Sequence, residues 1–76
     1  MINISDLIME YRLICQSIHY ITRLGKPSLS DTLKKLKECQ INCLHNIADN
    51  INLFPDVVKC LPTDILRMLN DLGYNV

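Results

Sequence analysis

The stretch Ser5-Asp6-Leu7-Ile8-Met9-Glu10-Tyr11-Arg12-Leu13-Ile14-Cys15-Gln16-Ser17-Ile18-His19-Tyr20-Ile21-Thr22-Arg23-Leu24 decides the fold class. Leu7, Tyr11, Ile14, Ile18 and Ile21 recur at intervals of four, three, four and three. That spacing stacks side chains along one stripe of an α-helix. Ile8 and Cys15 widen the stripe on one side. A helix over Ser5–Leu24 is predicted. Asn3 or Ser5 suits its cap, and Asp6 and Arg23 suit the dipole at its two ends. Gly25 supplies a left-handed stop and Pro27 prevents resumption. Leu13, Tyr20 and Leu24 lie away from the main stripe, so this helix is apolar on more than one face.

Downstream the pattern repeats with different punctuation. Leu29, Leu33, Leu36, Cys43, Ile47 and Ile51 recur at three, four or seven, with Gln40 interrupting the stripe and Cys39, Leu44 and Ala48 flanking it. A second helix is predicted from Ser28 or Ser30 to Asn50 or Ile51. Ser28 and Asp31 stand at capping-box spacing. Pro55 fits the first position of a short helix whose buried face would be Phe54, Val57, Val58 and Leu61. Pro62 and Asp64 open a last helix with Ile65, Leu66, Leu69 and Leu72 as its apolar face. Gly73 ends it, and Tyr74-Asn75-Val76 trails out. The expected fold is all-α, a compact bundle of three to four helices with short loops. It forms a single helical domain over residues 1–76, with no repeat and no dividing linker.

Composition narrows the function classes. The chain has 76 residues, 49% of them hydrophobic, which excludes a disordered tail. Twelve Leu and ten Ile must build the core, because only Tyr11, Tyr20, Phe54 and Tyr74 are aromatic. Eight basic and eight acidic side chains cancel. A neutral chain is a poor binder of nucleic acid or anionic membranes, both of which reward positive charge. No run of eighteen apolar residues offers a membrane span. Met1-Ile2-Asn3-Ile4-Ser5-Asp6 lacks the basic leader and apolar run of a secretion signal. The four cysteines, Cys15, Cys39, Cys43 and Cys60, are therefore read as free thiols in a reducing, cytoplasmic setting. The heavy use of Ile, Asn and Lys fits an AT-rich coding sequence of viral, protist or intracellular-bacterial type.

Candidate chemistry is sparse. Cys15 with His19, and Cys39 with Cys43, are i, i+4 pairs that packed helices can bring around one zinc. Free cysteine also packs as a small hydrophobe, and on that reading Cys15 and Cys43 are core positions, His19 sits at the boundary and no metal or other cofactor is expected. Cys43 and His45 point in different directions on a helix. No glycine-rich phosphate loop exists, and a chain this short has little room for a substrate cleft. The expectation is a non-enzyme without a small-molecule substrate. Lys34, Lys35 and Lys37 form a basic cluster bracketed by Asp31 and Glu38, with no aromatic interleaved. With the Cys/His pairs it defines the alternative: a small metal- or nucleic-acid-binding regulator.

Two further patterns carry a resemblance. Cys43 followed four residues later by Ile47 looks like the core of an elongin-C-binding box, with Cys39 where that box has Leu. Leu61-Pro62 before Ile65, Leu66 and Leu69 looks like the Leu-Pro opening of an F-box, or the cullin-selecting half of a suppressor-of-cytokine-signalling box. This half of the chain is similar to the adaptor-binding segments of cullin-RING ubiquitin-ligase receptors. The resemblance implies an adaptor contact through Cys43, Ile47, Leu61, Pro62, Ile65, Leu66 and Leu69.

The surplus apolar surface on the first helix carries most information. Such surface on a small domain marks a partner interface or a homodimer seam. The expected function is a helical protein–protein interaction module, acting as a homo-oligomer or by docking on a larger protein. Leu13, Tyr20 and Leu24 are its contact residues.

Overall fold

The computed structural model describes residues 3–76, so the Met1-Ile2 part of the leader reading lies outside the described residues. Helix α1 spans Ile4–Leu24. A 3₁₀ turn at Pro27–Leu29 leads into α2, Ser30–Leu53. A second 3₁₀ segment, Pro55–Cys60, precedes α3, Thr63–Asp71. The fold is an all-α helical bundle with no strand among the described residues.

The ends of α1 follow from local chemistry. The Asn3 side chain accepts a hydrogen bond from the Ser5 amide at 3.1 Å, satisfying one of the orphan donors of the first turn. Gly25 adopts φ 60°, the left-handed conformation that a side chain resists. The chain then reverses within a few residues, and α2 packs back along α1 as an antiparallel hairpin.

Several expectations need correction. The Ser28–Asp31 capping box does not form, because Ser28 is spent in the 3₁₀ turn and α2 starts without a side-chain cap. Helix α2 runs to Leu53, past three weakly helical asparagines, since the packing of Ile47, Ala48 and Ile51 outweighs propensity. Phe54 is exposed rather than buried: it stands at the C-cap of α2, where the backbone leaves the helix at φ −135° and ψ 79°. Leu72 is exposed too, and Met68 takes a place against the core instead. The C-terminal segment does not trail out. Gly73 at φ 101° lets the Gly73 and Tyr74 amides donate to the carbonyls of Asn70 and Leu69, both at 3.0 Å. Tyr74 thereby packs on the core, and its hydroxyl hydrogen-bonds Nδ1 of His45.

The core sits at one end of the hairpin. Leu7 and Tyr11 from the start of α1 meet Cys43, Leu44, Ile47 and Ala48 from the second half of α2, with Leu61, Ile65 and Leu69 closing the cluster. Arg12 grips Asp64 with a two-pronged hydrogen bond, at 2.6 and 3.2 Å, tying the first turn of α3 to α1. Both side chains are about half exposed, so the pair orients α3 more than it stabilises it. Beyond that end the hairpin has only α1 and α2. Ile14, Cys15, Ile18, Ile21, Leu29, Leu33 and Leu36 are half-buried between them, and none is fully covered. The radius of gyration is 13.5 Å, against about 11.4 Å for a compact domain of this length. The hairpin therefore draws the molecule out to 42 × 24 × 17 Å.

Candidate interaction surface on α1

Helix α1 buries one stripe and leaves an opposite stripe bare. At about 100° per residue, Met9, Leu13, Tyr20 and Leu24 fall within a sector of roughly 60°, facing away from Leu7, Tyr11 and Ile18. Their exposures are 63%, 58%, 65% and 41%. Gln16 and Ser17 lie between the two apolar pairs. The Ser17 hydroxyl donates back to the Leu13 carbonyl at 2.9 Å, which hides its polarity within the helix. The structure thus brings together Leu13, Tyr20 and Leu24 as expected from sequence, and it adds Met9. Met9 stands four residues before Leu13, a spacing visible in the sequence.

Shallow grooves flank the stripe. Leu13, Gln16, Ser17, Tyr20 and Ile21 line one of about 370 Å³. Another, of about 550 Å³, is lined by Arg12, Cys15, Gln16, His19, Tyr20 and Arg23. Both are open surfaces and not enclosed cavities.

The residues weighed for chemistry are dispersed. Cys43 is buried, and Cys39 and Cys60 are exposed. Cys15 is half-buried, with its Sγ accepting from Nε2 of Gln40 at 3.2 Å. That contact explains the polar interruption of the α2 stripe. Among the described residues, no group of three or more His, Cys, Asp or Glu side chains gathers as a metal site would require. Burial, the nearby Glu10 carboxylate and Cys15 push the Cys43 thiol up to about 11. Burial likewise pushes Tyr11 up to about 12, helped by Cys15. Lys34 and Lys37 border a groove with Ser30, Leu33, Glu38 and Ile41, so a carboxylate stands within the basic cluster. A graded thiol titration follows from these positions. Cys39 and Cys60 should react first and Cys15 more slowly, while Cys43 should stay protected until the chain unfolds. Rapid reaction of all four thiols in the native protein would contradict this packing.

The adaptor resemblance also finds its place. Cys43, Ile47, Leu61, Ile65 and Leu69 are core residues, while Pro62 and Leu66 are half-buried. Five of the seven are therefore covered in the isolated chain. No protein-family model, curated protein or solved structure matches the chain. Fold and surface define a class: a small all-α bundle whose first helix carries an unpartnered apolar face. No helix among the described residues is long and apolar enough to cross a membrane.

Proposed function

We propose that this chain is a non-enzymatic helical interaction module of a reducing compartment, and that the outer face of α1 is its working surface. The observation that carries the proposal is the exposed stripe Met9, Leu13, Tyr20 and Leu24 on a helix whose opposite face already supplies the core. A globular helix ordinarily turns one apolar face inward and a polar face outward. A second apolar face on the same helix contributes nothing to the fold of the monomer and is available to a second helix. An adaptor contact through Cys43 and Ile65 is less well supported, because it would require the core to open.

The test is site-specific photo-cross-linking in the cell that makes the protein. A benzophenone side chain at position 13 should give one discrete adduct, identified by peptide mass spectrometry and lost when Tyr20→Glu is added. The same group at Lys35, on the exposed side of α2, should give none. Equal labelling from positions 13 and 35 would overturn the assignment of the surface.

A further inference from the structure

We infer that the occupant of this face is a second copy of the chain, with α1 pairing antiparallel to itself about a two-fold axis between Gln16 and Ser17. The inference rests on the outer face of α1 being an interaction surface and adds what binds there and how.

The register comes from the spacing of the stripe. Met9 lies as far before the midpoint of Gln16 and Ser17 as Leu24 lies after it. Leu13 and Tyr20 are likewise equidistant from it. A two-fold axis at that midpoint sets Met9 level with Leu24 of the second copy, and Leu13 level with Tyr20. Every large apolar side chain of the stripe then faces another, and the smaller Ser17 falls at the crossing point. Residues 13, 16, 17 and 20 also form the i, i+3, i+4, i+7 set that makes a hole on a helix surface. The groove observed there is lined by these four together with Ile21.

Charge selects the direction. The first half of α1 carries Asp6 and Glu10, while Arg23 and Lys26 stand at and just beyond its far end. Arg12 is already matched by Asp64. Antiparallel pairing brings the acidic end of one copy beside the basic end of the other and opposes the helix dipoles favourably. Parallel pairing would set like against like.

The exposed area of the elongated chain as a whole is large enough to accommodate a second copy. The chain leaves 5512 Å² accessible to solvent, whereas a folded monomer of 8.8 kDa exposes about 4,800 Å². The surplus, on the order of 700 Å², is close to the roughly 800 Å² that each partner gives to a standard interface. An isologous contact needs one self-complementary patch, and this stripe is one.

Disulfide trapping tests the register in the full chain carrying Cys39→Ser and Cys60→Ser. A cysteine near the two-fold axis meets its own copy, whereas cysteines at position 9 of the two copies would stand about 22 Å apart, far beyond disulfide reach. Under mild oxidation Ser17→Cys should link to itself at least about ten-fold faster than Met9→Cys. Mixing Met9→Cys with Leu24→Cys should restore linking. Efficient self-linking of Met9→Cys would overturn the antiparallel register while leaving the face an interface. A wild-type monomer by sedimentation at about 50 μM, with no linking at position 17, would overturn the second copy as occupant. The photo-cross-linking at position 13 would then report separately whether a different protein binds this face.

Discussion

Replacing Ile65 with alanine is expected to cost about 2–5 kcal/mol, the range for truncating a large buried aliphatic side chain. Ile65 is fully buried at the point where α3 meets α1 and α2. The cavity would open in a core of only nine buried residues among those described, at the one end where three helices meet. A chain of this length has a total stability on the order of 4–11 kcal/mol. The substitution therefore removes a large share of it, and the melting temperature should fall by roughly 8–40 °C. Leu13→Ala, on the bare face of the same bundle, should change the stability of the dilute protein by less than about 0.5 kcal/mol. Denaturant titration at low concentration checks both. Equal losses at the two positions would show that the core is not confined to one end.

Alkali is expected to weaken the fold from about pH 9 upward. The Cys43 thiol is held protonated by burial, with Glu10 and Cys15 adding to the effect, and titrates at about 11 in the folded chain. Its unfolded value is 9.0. As pH rises through 9, the unfolded chain loses this proton first, so the folded state binds more protons and stability falls. The loss from Cys43 should reach about 2 kcal/mol by pH 11, at 1.36 kcal/mol per unit of difference. Tyr11 adds a second limb that begins at its unfolded value of 10.0 and ends near 12. Cys43→Ala should flatten the curve between pH 9 and 10 while leaving the Tyr11 limb. A stability that is constant to pH 11 in the wild type would mean that Cys43 is accessible to water.

How much of this was legible in the sequence depends on the range of the interaction concerned. The extent of α1 could be read from its 4-3-4-3 stripe and from Gly25 and Pro27, because those signals act within a turn or two. The bare face could be read for the same reason: Leu13, Tyr20 and Leu24 are off the stripe whatever the stripe packs against. The one-ended core could not be read from periodicity. It arises because α3 has nine residues, about 14 Å of helix, and reaches only part of a hairpin more than twice as long. Arg12 and Asp64 are 52 positions apart, and His45 and Tyr74 are 29 apart. Neither pair leaves a mark in local spacing. Phe54 beside Pro55 reads as core in the sequence, whereas it falls at the C-cap of α2 and is exposed, a position that depends on where α2 ends. The burial of Cys43 likewise depends on a distant partner, Leu7, whose carbonyl accepts from its Sγ at 3.4 Å.

The most direct test of the account is the melting temperature as a function of protein concentration, from about 1 to 200 μM, for the wild type and for Leu13→Glu with Tyr20→Glu. If the outer face of α1 binds a second copy, the wild-type value rises with concentration, because mass action favours the folded dimer. The double variant should still fold, since neither residue is in the core, but its melting temperature should be lower than that of the concentrated wild type and flat across the range. A wild-type melting temperature that does not change with concentration would contradict self-association through this face. A double variant unfolded at every concentration would contradict the division of α1 into one face that folds the chain and another that binds.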